Sequence, residues 1–168
     1  RVYYDDDILV VLLEHEIVRG HPWGKLFLKE VFLDIDFPRG VKMAQDFVYC
    51  VKVFNQAKKL VIFDETVYFY RLRSSGSTGG KYNSGAYKFW FDSIEWAAQL
   101  AVKTRQKRAL KKLKMRTLHQ SIREARVLKD DLSREVFNEI ISRANAWDIT
   151  IKGLYFSKAY DVKTIVRY

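Results

Sequence analysis

The sequence predicts an α+β fold that is predominantly helical. Apolar residues recur with helical periodicity in three segments, at 41–56, 87–102 and 103–129. Two short runs rich in β-branched and aromatic residues, at 60–63 and 66–70, are typical of strands. The chain has 168 residues and 48% of them are hydrophobic, so it is long and apolar enough to bury a core.

The first helix is expected at residues 6–18, with a stop at Gly20. Three adjacent carboxylates at 5–7 precede its apolar stretch. Acidic side chains at a helix N-terminus satisfy free amide groups and interact favourably with the helix dipole. The apolar run at 8–13 is too short to span a bilayer.

Two more helices are expected before the strands. Residues 26–33 predict a short helix, and after a loop at 34–40 the periodicity resumes over 41–56. The apolar side of this last segment contains Cys50, the only cysteine, which we assign to packing. The strands at 60–63, expected to be buried, and at 66–70 then follow. A single cysteine excludes an internal disulfide, and reducing conditions are expected.

The C-terminal half predicts three helices. Residues 87–102 have an aromatic amphipathic pattern, and a helix restarts at 131 and continues to about 144. Between them, residues 103–129 contain eleven lysines or arginines against one acid, Glu124, together with an apolar stripe. This pattern is typical of a basic amphipathic helix, which either packs on the domain with its charges in water or docks on an anionic membrane. Residues 147–168 allow no assignment.

An ordered series of short motifs extends over residues 6–79. It consists of His21-Pro22-Trp23-Gly24-Lys25-Leu26-Phe27, Val31-Phe32-Leu33, Asp36-Phe37-Pro38-Arg39-Gly40, Gln45-Asp46-Phe47, Val61-Ile62-Phe63 and the stretch from Tyr68 to Thr78. In order and spacing, this series resembles the second half of the catalytic domain of family 2 glycosyltransferases. These are inverting enzymes with a GT-A fold that use nucleotide-sugar donors. The resemblance therefore implies a partial GT-A sheet with a few strands near residues 60–70.

The resemblance implies an acceptor site on this chain. Asp46 matches the catalytic base of the family, although the usual acidic neighbour is replaced by Gln45. Inverting transfer needs one such carboxylate to take the proton of the attacking acceptor hydroxyl. Trp23 would form a wall against the sugar, and Lys25 would contact an anion. The alternatives are that Asp46 only caps its helix, that Trp23 is ordinary core and that Lys25 is a surface lysine.

A Gly- and Ser-rich segment, residues 71–80, follows the second predicted strand. In the family, a similar segment closes on the donor. The resemblance implies that Tyr70, Arg71, Arg73 and Ser77 bind the substrate, with the arginines and the serine on the donor phosphates. A flexible surface linker is the alternative for this composition.

A divalent cation, Mg or Mn, is expected in the complete enzyme, where an Asp-x-Asp motif would hold it. The carboxylates at 5–7 lie too close to the tryptophan box to match that motif, so no metal ligand is assigned in this chain. His15 and His21 are not spaced as a helical metal pair. The nucleotide-binding half of the family would precede Arg1, and this chain alone is then expected to be inactive.

The function expected from the resemblance is transfer of a sugar from a nucleotide-diphosphate donor to a carbohydrate or lipid-linked acceptor in surface polysaccharide biosynthesis. Residues 1–79 would supply the acceptor side, and residues 80–168 a basic helical region at the cytoplasmic face of the plasma membrane. The net charge of +10 also allows a non-catalytic basic module that binds nucleic acid or an anionic membrane. A noncatalytic interaction domain derived from the enzyme is a third alternative. An incomplete sheet would expose an edge, so a homo-oligomer or a covering partner is expected.

Overall fold

The computed structural model describes residues 1–39, 44–69, 71, 85–125 and 131–150. Within these ranges the elements follow the order β1 (Val2–Tyr4), α1 (Asp6–Glu14), α2 (Lys29–Phe32), α3 (Gln45–Gln56), β2 (Lys59–Val61), α4 (Gly85–Leu100), α5 (Thr104–Ala125) and α6 (Asp131–Ala146). The predicted α+β, predominantly helical class is confirmed, with one small antiparallel sheet of two strands in the described part.

The sheet pairs the N-terminal strand β1 with β2, so that Tyr3 lies opposite Leu60. The strand predicted at 60–63 is therefore present but shifted to 59–61, and only its central residue is partly buried. The strand predicted at 66–70 is wrong over 66–69, which form no regular element. Three-residue strands such as β1 are too short to show periodicity, which is why the sequence did not predict the true pairing partner.

Helix α1 is the centre of the core. All six residues from Ile8 to Leu13 are buried, because α5 and α3 pack against this helix. Its start after Asp5 and its acidic first turn confirm the prediction for this end. The predicted end at residue 18 is wrong, since His15 adopts a left-handed conformation and donates its backbone N–H to the Leu12 carbonyl.

The next helices are shorter than predicted. Helix α2 has four residues in place of the expected eight at 26–33. Helix α3 begins at Gln45, and the residues at 40–43 lie outside the described part of the chain. The α3 face towards α1 and α4 is apolar and contains Cys50, which is fully buried. Burial raises the pKa of the Cys50 thiol to about 11, in agreement with its assignment to packing.

Helices α4, α5 and α6 complete the helical layer, close to the predicted ranges. The predicted end of the basic helix at 126–129 lies outside the described residues. The apolar stripe of the basic helix α5 is buried against α1, α4 and α6. Four basic side chains of the 103–116 stretch form ion pairs with acids of the α1 region, namely Lys103–Asp6, Arg105–Asp7, Lys112–Glu14 and Arg116–Glu16. The structure therefore shows this helix packed on the domain, with most of its basic side chains in water. Among the described helices, none combines the length and the apolar character needed to cross a bilayer.

Candidate functional site

The loop that contains the tryptophan box is anchored on α3. Gly20, at the start of this loop, is buried against the ring of Phe47 in the first turn of α3. A Cβ atom at position 20 would lie 2.5 Å from Cδ2 of Phe47, which is closer than such atoms approach. A glycine is therefore required here, and it brings the following residues to the N-terminal end of α3.

His21 and Trp23 form the first part of the site. Their rings are stacked, with centroids 4.1 Å apart and planes inclined by 8°. The Lys25 ammonium donates a hydrogen bond to the His21 carbonyl and so closes the turn around Pro22. Trp23 is half-buried in this arrangement, which leaves part of the indole at the surface. The tryptophan thus belongs to a rigid aromatic pair and not to the helical core.

Asp46 forms the second part of the site. It lies in the first turn of α3, is half-buried, and is close enough to His21 for its charge to raise the pKa of the imidazole. Burial and the Lys25 ammonium act more strongly in the other direction, and the net pKa of His21 is lowered. Its Nδ1 atom is buried and has no hydrogen-bond partner among the described residues. His21 thus stacks on the indole of Trp23 and responds to the charge of Asp46.

The alternative that Asp46 serves as the helix cap does not match the local geometry. The N-cap position of α3 is occupied by Ala44, which has a φ of 58° and no side-chain acceptor. Asp46 follows two residues later, where a carboxylate is favoured by the helix dipole but does not hold the cap position. The sequence of α3 thus leaves the Asp46 carboxylate available for another role at this end of the helix.

Lys25 is neither a freely exposed lysine nor an obvious anion ligand. It is half-buried, and burial lowers the pKa of its ammonium, an effect that the nearby Cys50 thiol opposes when ionised. Because the ammonium is bonded to the His21 carbonyl, its shown role is to hold the loop conformation. Contact with an anion stays a prediction for this residue.

The predicted donor-side residues are placed only in part. Arg71 is exposed, and Tyr70, Arg73 and Ser77 lie outside the described residues. Tyr68 comes close to the tryptophan box, since a Cβ atom at Gly24 would lie 3.6 Å from its own Cβ. Gly24 has a φ of +71°, a left-handed conformation that favours glycine. Tyr68 therefore lies beside Gly24 of the tryptophan box.

Trp23 and Lys25 both contact His21, and His21 is near enough to Asp46 to respond to its charge. The roles assigned to Trp23, Lys25 and Asp46 stay predictions. The structure adds His21, which sequence reasoning considered only as a metal ligand and then dismissed. Two signals in the sequence could have indicated this histidine. It is separated from Trp23 by one proline, which restricts the intervening backbone, and its ring has the size to stack on an indole.

The divalent cation implied by the resemblance has no suitable ligand set in the described part of the chain, where no group of three or more His, Cys, Asp or Glu residues is placed to hold a metal. The three carboxylates at the start of α1 do not fit such a role. Each is paired with a basic side chain, Asp5 with Lys58 at 3.9 Å, Asp6 with Lys103 at 3.2 Å and Asp7 with Arg105. They stabilise the packing of α1.

Comparison with known proteins gave no match: no family model, no curated protein and no solved structure is significantly similar to the chain.

Proposed function

We propose that this chain is the acceptor-side part of an inverting glycosyltransferase that resembles family 2. The observation that supports this proposal is that the loop carrying Trp23 is anchored at the N-terminal end of α3, where Asp46 lies. Trp23 and Asp46 are 23 positions apart in the sequence, and the contact between Gly20 and Phe47 joins the two segments. An aromatic plate and a carboxylate at one surface site are the two groups that sugar acceptance requires.

In the proposed reaction, the acceptor hydroxyl attacks the anomeric carbon of a nucleotide-diphosphate sugar. The new bond joins the acceptor oxygen to this carbon as the bond between the carbon and the diphosphate oxygen breaks. Asp46 takes the proton of the hydroxyl, and the nucleoside diphosphate leaves with the electron pair. The partly exposed indole of Trp23 stacks on the apolar face of the acceptor sugar and orients the hydroxyl towards the carboxylate.

His21 contributes to this arrangement by fixing Trp23. The stacked imidazole sets the orientation of the indole, and the Lys25 hydrogen bond fixes the backbone of His21 in turn. A divalent cation would stabilise the leaving diphosphate in the complete enzyme, but the described residues offer no place for it. The predicted donor contacts of Tyr70, Arg71, Arg73 and Ser77 belong to the same proposal.

The experiment that tests the proposal is substitution Asp46→Asn in the full-length protein. Loss of a general base lowers a transfer rate by roughly 10²–10⁴-fold. We expect a loss of this size in product formation from a panel of UDP- and GDP-linked sugars, while donor binding measured by calorimetry is unchanged. Asp36→Asn, an exposed carboxylate in the loop before α3, is the matched control. Near-normal transfer by Asp46→Asn would overturn the assignment of the base.

A second proposal concerns the exposed side of α5. Lys107, Arg108 and Lys111 lie on this side and have no acidic partner among the described residues. Since the apolar stripe of α5 is buried in the core, the helix cannot insert apolar side chains into a bilayer without unfolding. We therefore propose that it touches an anionic membrane by charge alone, at about 1 kcal/mol per basic side chain.

Charge-driven docking predicts strong dependence on salt. Binding to phosphatidylserine vesicles is expected at low salt and to be lost in 0.5 M salt or on changing Lys107, Arg108 and Lys111 together to Gln. The control changes three exposed lysines elsewhere, Lys29, Lys58 and Lys59, to Gln. Equal losses in both triple variants would show that only net charge matters. Salt-sensitive binding to random oligonucleotides, with none to vesicles, would favour the nucleic-acid alternative.

A further inference from the structure

A small pocket lies where the end of α1 meets helices α3, α4 and α5. Its volume is about 120 Å³. A single water molecule needs only about 10–15 Å³ of such a cavity, so there is room for the few heavy atoms of a small anion. Its polar lining consists of His15, Arg19, Arg116, Thr117 and Gln120. We call it the Arg116 pocket.

The remaining wall of the Arg116 pocket is apolar and well fixed. Phe47 and Trp90 form part of it, with ring centroids 5.3 Å apart and an edge-to-face angle of 87°. Phe47 is almost fully buried, and it is the residue on which Gly20 is seated. The pocket thus has one wall in the packed core. Phe47, which contacts Gly20 at the start of the tryptophan loop, is part of that wall.

The electrostatic character of the Arg116 pocket is positive. Two guanidinium groups line it, and no carboxylate does among the described residues. His15 reports this field: burial lowers its pKa to about 4, and the charges of Arg19, His21, Arg116 and Lys25 act in the same direction. A neutral His15 is a hydrogen-bond donor and acceptor, and its Nε2 accepts from the Gly20 N–H at 3.4 Å, which leaves Nδ1 as the donor.

The two arginines differ in how firmly they are held. Arg116 donates to the Glu14 carbonyl and to the Glu16 carboxylate, so its position is fixed by the segment that follows α1. Arg19 is exposed and lies at the mouth of the pocket lining. The exposed acid Glu16 pairs with Arg116, and with Arg19 the net charge of these three groups is positive.

We propose that the Arg116 pocket binds a phosphate group, carried either by a soluble phosphate ester or by a lipid headgroup. Guanidinium groups recognise phosphate oxygens through paired charge-assisted hydrogen bonds. Thr117 and Gln120 line the same pocket from α5, so that polar side chains reach it from two different segments of the chain. Such a set suits the several oxygens of a tetrahedral phosphate better than a planar carboxylate with two. This site is independent of the proposed sugar transfer and would exist if that proposal failed.

Calorimetric titration of the protein with inorganic phosphate and with pyrophosphate, at constant ionic strength, tests the proposal. We expect saturable binding that Arg19→Gln weakens by at least fivefold, while Lys29→Gln, which removes an exposed charge of α2 outside the pocket, changes it less than twofold. Arg19 is chosen because its side chain is exposed, so its loss leaves the fold intact. Arg116→Gln could unfold the chain and is not used.

A second readout locates the bound anion. Phosphate in the pocket should raise the pKa of His15 above its value of about 4, measured by NMR of the imidazole. Absence of saturable binding, an equal effect of acetate, or equal weakening by Arg19→Gln and Lys29→Gln would each overturn the proposal. Vesicles with phosphatidic acid then separate the sources: Arg19-dependent binding to them identifies a lipid headgroup, and binding of soluble phosphate alone identifies a soluble ester.

Discussion

The helical region and the motif-bearing segments of this molecule bury their apolar side chains to very different extents. In the helical region, Leu12, Phe91 and Leu118 are fully buried. In the segments at 20–39 and 62–69, which contain most of the glycosyltransferase-like motifs, many large apolar side chains are exposed. Leu26 is fully exposed, and Phe69 has 86% of its surface in water.

This difference shows that the helices close a core of their own, whereas the motif segments lack a covering layer. Exposed apolar side chains in such numbers usually mark a contact surface. The contrast is what the proposed function leads one to expect, because the donor-binding half of such an enzyme would lie against these segments. The comparison can be tested by substitutions on each side and at the junction between them.

The largest effect is expected from Phe47→Ala at the centre of the buried side. Removing a buried phenyl ring costs about 3–5 kcal/mol of the free energy of unfolding. Leu26→Ala, on the exposed side, should change it by less than about 0.5 kcal/mol. Urea denaturation of both variants measures the difference. Similar losses in the two would mean that Leu26 is covered in solution and that the contrast is smaller than described.

The next effect concerns His15 at the junction of the two regions. Its pKa is about 4 in the folded chain against 6.5 for an ordinary histidine. The unfolded chain therefore binds a proton more readily, and stability is lost as the pH falls from about 6.5 to 4. At 1.36 kcal/mol per pKa unit, the loss amounts to about 3 kcal/mol.

His15→Gln is the control for this pH dependence. The glutamine amide has an oxygen that can accept the Gly20 N–H, but it does not titrate. Denaturation curves at pH 7 and pH 4 should show a drop that is smaller in His15→Gln than in the native chain by about 3 kcal/mol. An equal drop in both proteins would assign the acid sensitivity to other groups.

A smaller effect on the free energy of unfolding is expected from the ion pairs, whose contributions differ with the exposure of their side chains. Arg143 bonds Asp92, Glu95 and Glu139 and is only 16% exposed. Burial alone would lower the pKa of its guanidinium, but these hydrogen bonds raise it. Arg143→Gln should therefore cost about 1.5–3 kcal/mol, the range for hydrogen bonds to charged groups.

Arg105 provides the exposed counterpart, since its side chain is 70% exposed in the pair with Asp7. Surface pairs contribute between 0 and about 1 kcal/mol, and added salt screens them. Arg105→Gln should thus fall within that range in thermal or urea denaturation. If Arg105→Gln destabilised the chain as much as Arg143→Gln, burial would not explain a difference in stability between these two sets of ion pairs.

The helical part of the fold was predictable because its signals are long and periodic. The predicted ranges for α4 and α6 differ from the observed ends by two residues at most. The error at the end of α1 has a local cause, since His15 takes a left-handed conformation that sequence patterns reserve for Gly or Asn. The error in the sheet has a tertiary cause, since Thr66–Phe69 has strand composition but the partner of β2 is the N-terminal strand.

The candidate site was predictable only through an ordered set of motifs. Composition and periodicity did not bring the tryptophan loop to the start of α3, because the link between them is the close approach of Gly20 to Phe47. The Arg116 pocket gave no signal at all in the sequence. Its residues come from the end of α1, the following loop and α5, and each of them taken alone is an ordinary surface or helix residue.

The smallest effect on stability, and the sharpest test of the exposed side, is expected from Phe63→Ser combined with Phe69→Ser. Both rings are more than three-quarters exposed, so their loss should change the free energy of unfolding by less than about 0.5 kcal/mol each. If these segments form a contact surface, the native chain should sediment with an average mass above the 19.9 kDa of one copy, and the double variant should return to it. Lys58→Ser with Lys59→Ser changes two exposed residues nearby that are not apolar and should leave association unchanged. If the native chain sediments as one copy at all concentrations, this surface does not mediate self-association. The covering layer would then have to come from another polypeptide or from the proposed donor-binding half.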